Sequence, residues 1–174
     1  MLSGHILGSF LTLFSKMLSP NRILEIGTYT GYSAICLARG LRPGGRLTTI
    51  EVNDELRSTA LKYFRKAKLH EQIELINGDA LNLIPALQNT FDLVFMDAHK
   101  DDYISYYNLV IDKVASGGYI LVDNVLWGGK VLDPKFEDST TQTIDKFNKM
   151  ITEDQRVENL LLPIRDGLMV IKKR

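Results

Sequence analysis

Five ionisable residues, Asp97, His99, Lys100, Asp101 and Asp102, crowd in behind Phe91–Met96, an apolar run that only Asp92 interrupts. A second polar pair, Asp123-Asn124, stands behind another apolar run, Tyr119–Val122. Two carboxylates and an amide carbonyl are hard oxygen donors. They suit Mg²⁺ or Ca²⁺ with positions left for water or substrate, and suit zinc or copper poorly because no thiolate or clear histidine set accompanies them. A plainer reading has Asp97 capping the next helix and Asp123-Asn124 forming a turn. Taken singly, either pair favours that plainer reading. Lys100, three residues after Asp97, could act as general base toward a hydroxyl acidified by a cation. On spacing alone it reads as a solvated lysine between acids.

A second stretch, Leu24-Glu-Ile-Gly-Thr-Tyr-Thr-Gly-Tyr-Ser-Ala34, opens a turn with Gly27 and reaches its next glycine only at Gly31. A pyrophosphate-binding G-x-G-x-x-G turn needs a glycine where Tyr29 stands, which disfavours a nicotinamide dehydrogenase. What remains is a turn behind an apolar run, with Ser33 near a helix start whose amides could hold a carboxylate. Glu51 follows 24 residues after Gly27, behind the next apolar run, where an acid can accept from both ribose hydroxyls. A nucleoside with a carboxylate and no phosphates fits both features, and S-adenosylmethionine is such a ligand. Asn77-Gly-Asp-Ala80 offers an edge for the adenine, or equally a helix cap at Asp79. Beside such a pocket, the two acidic pairs together favour a metal site over two separate turns.

These residues need a frame. Ile6, Leu7, Phe10, Leu11, Phe14, Met17 and Leu18 recur at helical spacing until Ser19-Pro-Asn21. Strands are predicted at Arg22–Ile26, Arg46–Glu51, 72–76, Phe91–Met96 and 119–122. Helices are predicted over 32–39, 54–68, 81–87, 104–114 and 141–151. Alternating strands and helices build a parallel sheet covered on both faces, with ligands at the carboxyl ends of the strands. Val157–Leu162 and 168–171, separated by Pro163-Ile-Arg-Asp-Gly167, read as a closing antiparallel hairpin.

With 174 residues, 45% of them hydrophobic, the chain suits one domain with a substantial core. Basic and acidic side chains both number 21, with no block of like charge, so nucleic acid is not expected as a partner. The lone Cys36 rules out an internal disulfide, reads as a core residue and fits a reducing, cytoplasmic setting. The apolar N-terminal stretch contains Gly8, Ser9 and Lys16 and lacks a basic leader, so it reads as a soluble helix with no membrane role.

The segments LEIGTYTGYSA, IEVNDE, NGDALNLIPAL, FDLVFMDAHKDDY, LVDNVLWGGKVLDP and LPIRDGLMVIKKR together resemble the metal-dependent, catechol and caffeoyl-CoA type O-methyltransferases, in order along essentially the whole chain. The resemblance implies a class I methyltransferase fold: a Rossmann-like, seven-stranded, mostly parallel sheet with a C-terminal antiparallel hairpin and helices on both faces. It places the donor's carboxylate near Gly27 and Ser33, its ribose on Glu51 and its adenine near Asp79, Ala80 and Ala98, with Tyr32 and Asp97 also lining the donor site. It matches Asp97, Asp123 and Asn124 to the metal ligands, for Mg²⁺ with Ca²⁺ or Mn²⁺ as alternatives, and Lys100 to the catalytic base. The implied acceptor is a small aromatic vicinal diol, and Leu126–Lys130 matches the acceptor-side loop, where Trp127 stacks on a ring or simply packs. Family members carry a further segment before the position of Met1 that helps cover the site and form a homodimer. Residues 1–174 are therefore expected as one methyltransferase domain lacking that segment, with homodimerisation in question. Two other readings stay open: a metal-independent methyltransferase with an amine or macromolecular acceptor, and a protein that binds S-adenosylmethionine without turnover.

Overall fold

The computed structural model describes residues 4–133, 135 and 138–174; the first three residues of the apolar N-terminal stretch lie outside them. Helix α1 (Gly4–Leu18) stops where Ser19 takes a positive φ of 48° and Pro20 withholds the next amide hydrogen. Strands β1 (Arg22–Ile26), β2 (Arg46–Glu51), β3 (Ile73–Asn77), β4 (Phe91–Met96) and β5 (Val114–Asp123) alternate with α2 (Tyr32–Ala38), α3 (Arg57–Lys66), α4 (Ala80–Leu83) and α5 (Tyr103–Val110). Helix α6 (Ser139–Glu153), whose first turn is capped by Asp138 accepting from the Thr141 amide at 3.0 Å, leads to β6 (Val157–Leu162) and β7 (Leu168–Lys173).

The strand order is β3-β2-β1-β4-β5-β7-β6, with β7 antiparallel to both of its neighbours. Period-two alternation sends Ile23, Leu93, Phe95 and Leu121 to one face, where Leu7, Leu11, Leu37 and Phe64 cover them. Leu24, Ile26, Val94, Met96 and Val122 go to the other face, against Tyr107, Val110, Phe147 and Ile151. Ile6, Leu13 and Met17 form an exposed apolar stripe on the outer side of α1. No helix among the described residues is long and apolar enough to cross a membrane.

Where the expected boundaries moved, local chemistry explains the difference. The helix expected over 54–68 begins as a 3₁₀ turn, Asp54–Leu56, because the Asn53 side chain accepts from the Glu55 amide. The helix expected to reach 114 stops at Val110; a 3₁₀ turn follows, and the Lys173 ammonium binds the Ile111 and Val114 carbonyls at 2.8 Å each. Strand β5 starts five residues earlier than expected. A register irregularity against β4 between Phe91 and Leu93 absorbs Ser116-Gly-Gly118, which reads as a turn in sequence.

Register is what positions the site. Ile26 pairs with Ile50 and with Met96, Met96 pairs with Val122, and Glu51 pairs with Asn77. Asn77, Glu51, Gly27, Asp97 and Asp123 therefore stand in one row across the carboxyl edge of the sheet.

Candidate active site

Gly27, Glu51 and Asp97 of that row line a cleft of about 700 Å³ where the strand order reverses between β1 and β4, the position at which open α/β sheets bind ligands. Gly27 opens the crossing. Its φ is +97°, and a side chain there would place Cβ 2.1 Å from the Asp97 carbonyl oxygen, so only glycine lets β1 turn this close to the end of β4. The Gly27 and Thr28 amides both donate to the Ile50 carbonyl, at 3.0 and 3.2 Å, and the Asp97 amide donates to Ile26 at 3.0 Å.

Each residue expected to hold the donor lines this cleft: Gly27, Tyr32, Ser33, Glu51, Asp79, Ala80, Asp97 and Ala98. Glu51 is fixed before any ligand arrives, since Oε2 accepts from the Tyr29 amide at 2.7 Å and Oε1 from the Asn53 amide at 2.9 Å. Asp79 holds the helix-cap place that one sequence reading gave it. It caps α4 by accepting from the Leu81 amide at 2.9 Å, and it also forms part of the cleft wall.

At the other end of the cleft, the Lys100 Nζ donates to Asp97 Oδ1 at 2.8 Å and to the Tyr103 hydroxyl at 2.6 Å, with the lysine side chain only 12% exposed. The solvated-lysine reading does not hold. Asp97 does not cap the helix that follows; it faces Lys100. Asp123 is set back from the cleft wall, buried, and its carboxyl is pushed up to about 6 by burial and by the Asp97 charge. Its Oδ1 accepts from the Asn124 amide at 2.9 Å, and Asn124 lines the cleft with φ +63°. Among the described residues no group of three or more His, Cys, Asp or Glu side chains could hold a metal ion. Asp97 and Asp123 are close enough for the charge of one to raise the other, and two carboxylates with an asparagine next in sequence are donors of the hard type a divalent cation takes.

Sequence reasoning missed four contributors. Glu25, on the face of β1 that Ile23 assigns to the core, is fully buried, and burial pushes its carboxyl up to about 8 despite the nearby Ser33 and Thr49 hydroxyls. Thr49 donates to its Oε2 at 2.5 Å, Thr28 lies 2.5 Å from Thr49, and Oε1 has no well-formed hydrogen bond. A charge at a core-facing alternation was the available signal. Tyr29, φ +49°, lines the cleft between Thr28 and Thr30. Tyr103 is fully buried, and its hydroxyl donates to the Asp123 carbonyl at 2.8 Å. Asp166 of the β6–β7 turn reaches the cleft, accepts from the Gly128 amide on its side chain and from the Leu126 amide on its carbonyl, and so clasps the Leu126–Lys130 loop. In that loop Trp127 lines the cleft with its indole N–H buried and unpartnered. His99 is exposed beside Asp101 and Asp102 and takes no part in these bonds.

The Glu25 carboxyl gives a pH prediction. Between about pH 4.5 and 8 the folded chain keeps a proton that the unfolded chain releases, so stability falls as pH rises through that window, by at most about 1.4 kcal/mol per unit, and levels above it. Glu25→Gln should flatten this slope. Thermal melts of both proteins at pH 5, 6.5 and 8 check it, and parallel wild-type and variant curves would refute it.

A family model described as O-methyltransferase matches residues 1–174. Caffeoyl-CoA O-methyltransferase 2 of Eucalyptus globulus is 34% identical over 95% of this chain and 72% of its own length. Among solved structures, an O-methyltransferase from Bacillus cereus in complex with S-adenosylhomocysteine superposes with a TM-score of 0.93 at 30% identity, over 99% of this chain and 83% of the other. TomG of Streptomyces achromogenes, an O-methyltransferase involved in tomaymycin synthesis and solved with S-adenosylmethionine, does so with the same score at 32% identity, covering 99% and 81%.

Proposed function

We propose, from the premise that the chain belongs to the O-methyltransferase family and is an S-adenosylmethionine-dependent O-methyltransferase, that its acceptor is a small aromatic vicinal diol. The observation that carries this reading is Lys100, held at the cleft wall by Asp97 and Tyr103 beside the buried Asp123. In the proposed arrangement Glu51 accepts from the donor's ribose hydroxyls, Ser33 and the Gly27 turn face its carboxylate, and Asp79, Ala80 and Ala98 border the adenine. Lys100 removes the proton from one acceptor hydroxyl. The oxygen so formed attacks the donor's methyl carbon as the carbon–sulfur bond breaks, giving the methyl ether and S-adenosylhomocysteine. Asp97, Asp123 and Asn124 would hold a divalent cation, Mg²⁺ for preference, which when bound supplies Lewis acidity to neighbouring hydroxyls.

Alignment of oxygen, carbon and sulfur in one line can contribute roughly 7–11 kcal/mol of barrier reduction, more than proton removal alone. The residues that shape the cleft therefore belong to the mechanism as much as the base does. The lone buried Cys36 supports a reducing, cytoplasmic setting, and the outward stripe of α1 supports a homodimer within residues that act as one methyltransferase domain.

The test is methyl transfer from S-adenosylmethionine to a panel of catechols and caffeoyl compounds, with Mg²⁺ and with excess chelator, on a preparation sized by light scattering. Product that depends on the metal is expected. Undiminished product under chelator would overturn the cation, and donor binding without product on any diol would overturn the acceptor class.

A further inference from the structure

The hydrogen-bond chain around Lys100 carries more than the presence of a base. Between the Tyr103 hydroxyl and the Asp123 main-chain carbonyl, 2.8 Å apart, only the phenol has a hydrogen to give. That hydrogen is committed to Asp123. The Tyr103 oxygen can then only accept from Lys100 Nζ, 2.6 Å away, just as Asp97 Oδ1 accepts from it at 2.8 Å. A tetrahedral amine has four substituent positions. One is taken by its own carbon and two are pinned by Asp97 and Tyr103, so the direction of the fourth is fixed. Lys100 lines the cleft, and the ring of Tyr103 is locked in the core against Phe147, with centroids 5.6 Å apart.

We propose that Tyr103 is a positioning residue for methyl transfer: by accepting from Lys100 with a hydroxyl whose hydrogen is spent on Asp123, it holds Nζ so that its one remaining position faces the cleft. The role rests on Lys100 being the base. Two N–H groups satisfy Asp97 and Tyr103, and the remaining position is the one through which Nζ takes the proton of an acceptor hydroxyl. Without the phenol oxygen, Nζ keeps one anchor and turns about its bond to Cε, so the position it offers a bound acceptor is no longer fixed. Tyr103 touches neither donor nor acceptor in this scheme and acts only through Lys100.

The test is a double-mutant cycle of Tyr103→Phe and Lys100→Ala, with donor affinity read by calorimetry and turnover by product formation. Tyr103→Phe should lower kcat about 10-fold with donor Kd within twofold of the parent. In the Lys100→Ala background the same change should cost nothing further, because there is no amine left to aim. An equal loss in both backgrounds would mean that the hydroxyl supports the fold generally, and would overturn the proposal, as would wild-type kcat in Tyr103→Phe. If Lys100→Ala itself turns over normally, the reading of the base fails first and is recognised separately by that single variant. Should Tyr103→Phe not fold, 4-fluorophenylalanine at 103 keeps the ring and nearly its size without a hydrogen to donate. Its kcat should fall likewise, and undiminished turnover would refute the role.

Discussion

Lys100→Ala should lower turnover by about 10²-fold or more while leaving S-adenosylmethionine binding within twofold of the parent. The asymmetry follows from position. Lys100 Nζ is spent on Asp97 and Tyr103 at the cleft wall, whereas in the proposed arrangement the donor's ribose and carboxylate fall to Glu51, Ser33 and the Gly27 turn. Lys100→Arg should not rescue the loss, since a guanidinium stays protonated and its planar fork cannot reproduce a tetrahedral amine. Single-turnover methyl transfer with calorimetry of donor binding separates the two effects. Normal turnover in Lys100→Ala would remove the lysine from the mechanism, and a parallel collapse of donor affinity would make its role structural.

Gly27→Ala should be the most damaging single methyl group in the molecule. An added Cβ would meet the Asp97 carbonyl oxygen at 2.1 Å and its carbon at 2.8 Å, and both are main-chain atoms that cannot swing aside. Strain at φ +97° adds to the clash, and together they should cost roughly 3 kcal/mol or more, a fall in melting temperature of about 6–12 °C for a chain of this size. Relief requires β1 and β4 to separate at their carboxyl ends, so donor affinity should fall at least about 10-fold with it. Gly44→Ala is the matched control. Its φ is +80° and nothing lies within 4 Å of the added carbon, so it should show only the strain of a left-handed residue, about 1 kcal/mol. Equal melting shifts for the two variants would sink the close-approach argument.

The alternation of strands and helices was legible because apolar runs of five or six residues, separated by helical periods, leave few topologies open. The row of site residues was legible for a related reason: in parallel strands of matched register, whatever follows the last apolar residue lands on one edge, and Gly27, Glu51, Asp97 and Asp123 each hold that place. What could not be read was long-range pairing of polar groups. Glu25 sits inside a strand that looks like one more apolar run, and its partners Ser33 and Thr49 come from other segments. Tyr103 resembles an ordinary helical core aromatic until its hydroxyl is seen to join Lys100 to the end of β5. Asp166 lies in a hairpin turn where an aspartate needs no further reason. The early start of β5 was hidden by Gly117-Gly118, which punctuate sequence more strongly than they interrupt this strand.

The order of strands also bears on how the chain is made. β6 is synthesised before β7 yet lies outside it, with no neighbour but β7 among the described residues, and β5 likewise waits for β7 along its free side. While the ribosome has delivered residues only through Leu162, β5 presents an open apolar edge and β6 has nothing to pair with. Such edges invite pairing between nascent chains. The part of the cleft proposed for the donor can assemble from residues already made, but the Asp166 clasp on the Leu126–Lys130 loop cannot. During translation the molecule would thus pass through a stage equipped to recognise the methyl donor and not yet equipped to spend it.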